Sequence, residues 1–127
     1  MKTMGGLPLI KKFFIALLLT TILLNTCSCG LLRKPLDNRS GFSKHLKQTE
    51  NYIRNEDWGN AKSSLEYSEK TWKQIKPILQ VDIDHDYIND IEDDFIKLEG
   101  YIDTKEKPDS LASILLIQDS WKNIGSL

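Results

Sequence analysis

The chain has 127 residues, 17 Lys and Arg against 18 Asp and Glu, 40% apolar and 28% charged. That is one small domain at most. Its Leu, Ile and three Trp argue against disorder throughout, and two cysteines one residue apart cannot staple a core. The residues point to a location and a fold class and identify no reaction or substrate.

The N-terminal stretch differs from the rest: Lys2, Lys11 and Lys12 are basic and no acid precedes Asp37. Behind them Phe13 to Leu24 is an uncharged run of 12 residues, short of the ~20 a helix needs to cross the hydrocarbon core. A basic region followed by such a run reads as a removable export signal. It ends in Leu24-Asn25-Thr26-Cys27-Ser28-Cys29-Gly30, which resembles the lipobox of bacterial lipoproteins. That resemblance implies a diacylglyceryl-modified cysteine at the mature N-terminus. Cys27 is the preferred attachment residue because Leu24 fills the apolar place three residues before it. Cys29 is the alternative, with a better Ser28 before it and a poorer Thr26 at the apolar place.

The division expected is therefore a signal peptide at 1–26, a tether at 27–39 and a helical domain at 40–127. The rival is an uncleaved transmembrane anchor over Leu7 to Leu24, with Lys11 and Lys12 at its cytoplasmic edge. Either puts the domain on the extracytoplasmic face of a bacterial cell membrane. From Cys27 onward 14 basic residues face 18 acidic ones, spread along the chain, so no nucleic-acid footprint is expected. The Cys-x-Cys pair has no second pair or nearby His, so neither a metal nor another cofactor is expected.

Residues 30–38 contain Pro35 and no sustained period, and read as tether. Four helices follow. The first runs from Ser40 or Ser43 to Asn55, with Phe42, Leu46, Thr49 and Ile53 on one face and His45 and Tyr52 flanking it. After a turn capped by Asn55 or Asp57, the second places Trp58, Ala61, Leu65, Ser68, Trp72 and Ile75 in steps of three and four and stops near Pro77. The third starts between Ile78 and Asp84 and carries Ile88, Ile91, Phe95, Leu98 and Ile102, with Gly100 marking close packing or an early end. The fourth, capped by Asp109 or Ser110, buries Leu111, Ile114, Leu115, Ile117, Trp121 and Ile124 and closes at Gly125. With no strand-like alternation, the fold expected is all-α: a small four-helix up-down bundle of two packed hairpins.

Asn55-Glu56-Asp57-Trp58-Gly59-Asn60-Ala61, Trp72 with Ile75, Asp84-His85-Asp86-Tyr87-Ile88-Asn89-Asp90-Ile91 and Leu98-Glu99-Gly100-Tyr101-Ile102 together resemble the bacterial family domain of unknown function 4363. The resemblance covers residues 40–124 and implies a small all-helical domain behind an apolar N-terminal segment. It implies no reaction. The Asn55-to-Ala61 turn also resembles the junctions of tetratricopeptide-like repeats, but a single hairpin is no array and gives only weak support for peptide binding.

Asp82, Asp84, Asp86, Asp90, Glu92, Asp93 and Asp94 place seven carboxylates in 13 residues around His85. Read as a calcium loop, the stretch has Tyr87 where the turn needs Gly and Asp93 where a bidentate Glu belongs. Read as an acid-capped helix start, the same acids form solvated rows, Asp94 among them, facing the positive end of the helix dipole. Asp82, Asp84, His85, Asp86 and Asp90 are the candidate binding residues, and no catalytic set accompanies them. The leading expectation is a membrane-tethered, non-enzymatic interaction or accessory module whose partner is a membrane or cell-envelope protein. The alternative is a cation- or ligand-binding lipoprotein that uses segment 82–94 with His85.

Overall fold

The computed structural model describes residues 6–25, 30–81 and 83–124. Within them the chain forms six helices and no strand: α1 (Gly6–Asn25), α2 (Gly30–Ser40), α3 (Phe42–Arg54), α4 (Trp58–Leu79), α5 (His85–Asp103) and α6 (Lys107–Asn123). The protein is all-α, as its periodicity predicts. Cys27, Cys29 and Gly125 lie outside the described residues. Among the described residues no helix is long and apolar enough to cross a membrane.

The segment expected as an irregular tether is helical instead. α2 runs through Pro35 to Ser40 and is held by tertiary contacts rather than by an amphipathic period. Leu36 packs against the core, and the Asp37 carboxylate accepts hydrogen bonds from the Ser43 backbone N–H at 2.8 Å and from Ser43 Oγ at 2.6 Å. Gly41 makes the corner into α3 at φ 68°, a left-handed conformation that costs any residue with a Cβ about 1–2 kcal/mol.

The stripes read from the sequence are the core. Phe42, Leu46, Thr49 and Ile53 of α3 are buried, with Ala61, Leu65, Trp72, Ile75 and Leu79 of α4, all five apolar stripe residues of α5, and Ile114, Ile117, Trp121 and Ile124 at the chain's end. Trp58 packs at the edge, partly buried. α3 lies against α4 and α6, and α5 against α6 and α4, an arrangement compatible with a bundle of two hairpins.

Phe42 is the hub of this packing. Fully buried, its ring meets Trp72 of α4 at 5.7 Å between centroids, Phe95 of α5 at 6.3 Å and Trp121 of α6 at 4.9 Å, the last edge to face. One side chain thus touches an aromatic from each of the other three helices. The two indoles find acceptors for their N–H groups, as buried tryptophans require: Trp121 donates to Ser43 Oγ at 2.9 Å and Trp72 to Glu92 Oε1 at 3.3 Å.

Both hairpins are closed by the same three-residue turn. Asp57 N–H donates to the Tyr52 carbonyl and Glu56 N–H to that of Ile53; Glu106 N–H donates to Tyr101 and Lys105 N–H to Ile102. This is the Schellman pattern, with the left-handed position held by Glu56 (φ 55°) and Lys105 (φ 58°) in place of glycine. The residue that completes each turn also opens the next helix. Asp57 caps α4 through its side chain, which accepts from Asn60 N–H at 3.4 Å.

Several boundaries differ from expectation. α4 passes through Pro77 to Leu79; burial of Leu79 offsets the one backbone bond that proline removes. α6 begins at Lys107 behind Glu106, ahead of the expected caps Asp109 and Ser110, with Pro108 in its first turn, where a missing N–H costs nothing. Ser110 is fully buried, and its Oγ is the one buried side-chain polar atom without a partner among the described residues. Leu115, expected inside, is 43% exposed, while Ser113 is buried. Gly100 neither ends α5 nor admits a close neighbour: a Cβ there would meet nothing within 4 Å.

Phe42→Ala should cost about 3–5 kcal/mol, much of the stability of so small a domain, and Phe42→Leu roughly 1 kcal/mol; urea unfolding of the two variants measures both. Glycine stands where α5 has no use for it and is absent where the following turn favours it. Gly100→Ala and Lys105→Gly should therefore each raise stability by about 0.5–1 kcal/mol, read as additive upward shifts of the thermal midpoint.

Candidate functional site

The acidic stretch that dominates the sequence does not converge in space. Asp84 is the N-cap residue of α5 without a side-chain capping bond, and His85 opens the helix. Asp84, His85, Asp86 and Asp90 are all exposed, and Asp82 lies outside the described residues. Among the described residues no three His, Cys, Asp or Glu side chains gather into a group able to hold a metal ion. The later acids are engaged elsewhere. Glu92 accepts from Lys76 and Trp72 of α4, and the Lys76 hydrogen bond holds its carboxyl below the usual range. Asp94, expected on a solvated row, is instead 7% exposed and paired with Lys97 at 3.1 Å, because it lies on the flank of α5 beside the Phe95 stripe.

A trough of about 300 Å³ lies between α3 and α4. It has three layers, set by the antiparallel pairing of the two helices. At one end His45 and Tyr67 bring their rings to 4.6 Å between centroids, tilted by 56°. Gln48, Ser63, Ser64, Tyr52 and Asn60 complete its lining, with Tyr52 and Asn60 toward the end away from His45. No carboxylate, Lys or Arg lines it. The trough exists because the residues just off the buried stripe of α3 recur at helical spacing as His45, Gln48 and Tyr52, while α4 presents small Ser63 and Ser64 opposite them.

Its serine hydroxyl hydrogens are already committed. Thr49 Oγ1 and Ser64 Oγ lie 2.8 Å apart and both reach the His45 carbonyl, at 2.9 Å and 3.4 Å, so the Ser64 hydrogen is held within this group. Ser63 donates to the Gly59 carbonyl at 3.2 Å, and the Asn60 amide N–H₂ donates to Asp57 at 2.7 Å. Each leaves an oxygen with open lone pairs. The Gln48 amide and the two tyrosine hydroxyls meet no protein partner among the described residues.

A second hollow, about 370 Å³, opens where α2, α3 and α6 meet over Leu46 and Trp121. Beside it is a group that periodicity misses: Glu50, 1% exposed. Its Oε1 accepts from Arg54 at 2.8 Å; its Oε2 accepts from Lys47 at 2.8 Å and from Gln118 of α6 at 3.0 Å. Burial pushes this carboxyl up, but the hydrogen bonds from Lys47, Gln118 and Arg54 outweigh it and hold the pKa at about 2. The signal available in the sequence was Lys47 three residues before and Arg54 four after, the spacing of ion pairs on one helix. With both oxygens engaged, Glu50 is a bolt between α3 and α6.

Because its folded-state pKa lies below the unfolded one, Glu50 stabilises the fold fully above about pH 4.5, and that contribution is lost as pH falls toward 2. Glu50→Gln should cost on the order of 2 kcal/mol at pH 7. The gap between it and the parent chain should close as denaturant unfolding is repeated from pH 5 down to pH 2.

No curated protein and no solved structure matches the chain. A family model does match, over residues 36–127, which takes in the end of α2, both hairpins and the trough between α3 and α4. The chain belongs to the family described as Domain of unknown function (DUF4363).

Proposed function

We propose that the chain is a non-enzymatic helical interaction module, held on the extracytoplasmic face of a bacterial membrane by a lipid on Cys27, or on Cys29 as the alternative, and serving a membrane or cell-envelope protein. The observation that carries this reading is the contrast between α1 and the helices that follow. Leu9, Ile10, Phe13, Phe14, Ile15, Leu17, Leu18 and Leu19 are each more than half exposed, whereas the stripes of α3 to α6 are buried. An apolar surface of that extent calls for an apolar phase or a receptor. The 12-residue run from Phe13 to Leu24 is too short for the ~20 residues of a comfortable span, which favours a cleaved leader over a lasting anchor. Two acyl chains on one cysteine then suffice for stable attachment.

The test is the intact mass and membrane partition of the chain made in a bacterium, beside Cys27→Ser and Cys29→Ser. The expected product starts at Cys27 with added lipid mass, and that mass is lost only in Cys27→Ser. An unmodified full-length chain retained in the membrane would make residues 7–24 a permanent anchor, and an unmodified chain in the aqueous fraction would overturn both forms of attachment. Gentle solubilisation should recover a stoichiometric protein partner; repeated recovery of the bare chain counts against the interaction role.

A further inference from the structure

We infer that the trough between α3 and α4 is a binding site for a neutral saccharide of one or two rings. The inference is independent of how the chain is anchored. It rests on what the trough offers and what it lacks. No acid, Lys or Arg lines it, so nothing there compensates the charge of a phosphate, a carboxylate or an ammonium group. Its free hydrogen-bonding groups are mixed: the Gln48 amide, the tyrosine hydroxyls and the second Asn60 amide hydrogen donate, and oxygens lie beside them. Ser63 donates to the Gly59 carbonyl, Ser64 is bonded within the Thr49–His45 carbonyl group and Asn60 gives one amide hydrogen to Asp57, so all three also present oxygens. The complementary ligand is uncharged and carries closely spaced groups that both donate and accept, as hydroxyls do.

A peptide fits this pattern less well, since its backbone offers only one N–H and one carbonyl per residue, fewer polar groups for the same length of trough. A sugar brings several hydroxyls per ring, and the Gln48 amide and the tyrosine hydroxyls can serve its ring and linkage oxygens. Sugars also have an apolar C–H face that packs on aromatic rings. The trough has such rings at both ends: the His45–Tyr67 pair, with Tyr67 57% exposed, and Tyr52. From His45 to Tyr52 is two helical turns, roughly 10 Å, the span of two linked rings. The volume of about 300 Å³ sits at the small end of ligand pockets, in keeping with a short oligosaccharide.

The experiment uses the full chain in phospholipid nanodiscs free of glycolipid, with cellobiose, maltose and N,N′-diacetylchitobiose as probes, followed by saturation-transfer NMR and titration. At least one disaccharide should saturate the site. Tyr67→Ala and Gln48→Ala, both at exposed positions, should each raise its Kd about tenfold, the effect of losing one stacking or hydrogen-bonding contact, with thermal midpoints unchanged. Lys62→Ala, on the side of α4 that pairs with α5, should leave Kd unchanged. Transfer from none of the three sugars at millimolar concentration would overturn the proposal. So would equal binding by the Tyr67 and Gln48 variants, or displacement of the sugar by an uncharged peptide that binds more tightly.

Discussion

The fold depends on one ring reaching three helices. Phe42 opens α3 immediately after the Gly41 corner and contacts Trp72, Phe95 and Trp121, so the position of the first helical turn sets the seating of the other three. The polar contacts around it follow from that seating. Trp121 can donate to Ser43, and Ser43 in turn to Asp37, only because the indole is drawn against the start of α3. A neutral hydrogen bond of this kind adds about 0.5–1.5 kcal/mol and one to a carboxylate roughly 1.5–3 kcal/mol. Their larger effect is to couple α2, α3 and α6 into one unit.

How much of this was legible follows from what kind of signal each feature leaves. A buried apolar face recurs every three or four residues whatever its neighbours, so nearly all the core residues of α3, α4 and α5 stand out in the sequence. Features that depend on a contact distant in the chain leave no such trace. α2 is helical because Leu36 and Asp37 meet later residues, not because its own residues repeat. The first hairpin turn stands out by its cap Asp57, but the left-handed positions of both hairpin turns hide, because Glu56 and Lys105 fill them where the usual glycine signature is missing. Gly100 misleads in the opposite sense, being a glycine that no turn or neighbour requires.

The candidate sites divide along the same line. Seven acids in 13 residues attract attention, yet charge density along a chain says little about convergence in space, and those that lie on α5 are dispersed between solvent, Lys76 and Lys97. The trough on the first hairpin is assembled from residues unremarkable one at a time. His45 and Tyr52 are visible as flanking positions of the α3 stripe, but the serines that leave the space between them come from the next helix, and only the antiparallel pairing brings the two sets together. Glu50 shows the limit of binary patterning: a charged residue on the apolar face is invisible to a rule that sorts polar outward.

The four seams among α3 to α6 are not built alike. α3 and α6 share an edge-to-face aromatic pair and the buried Glu50 bolt. α4 and α5 are bridged by Lys62 with Asp103, both about half exposed, and by Lys76 with Glu92, ties that salt screens and water competes for. On that same seam burial, with Glu99 and Glu66 close by, raises the pKa of Glu69, a sign that the carboxylate sits there at some cost. The two hairpins thus resemble the covers of a book with its spine at α3–α6. The seam most open to salt and water is α4–α5, and the trough, confined to the α3–α4 cover, does not lie on it.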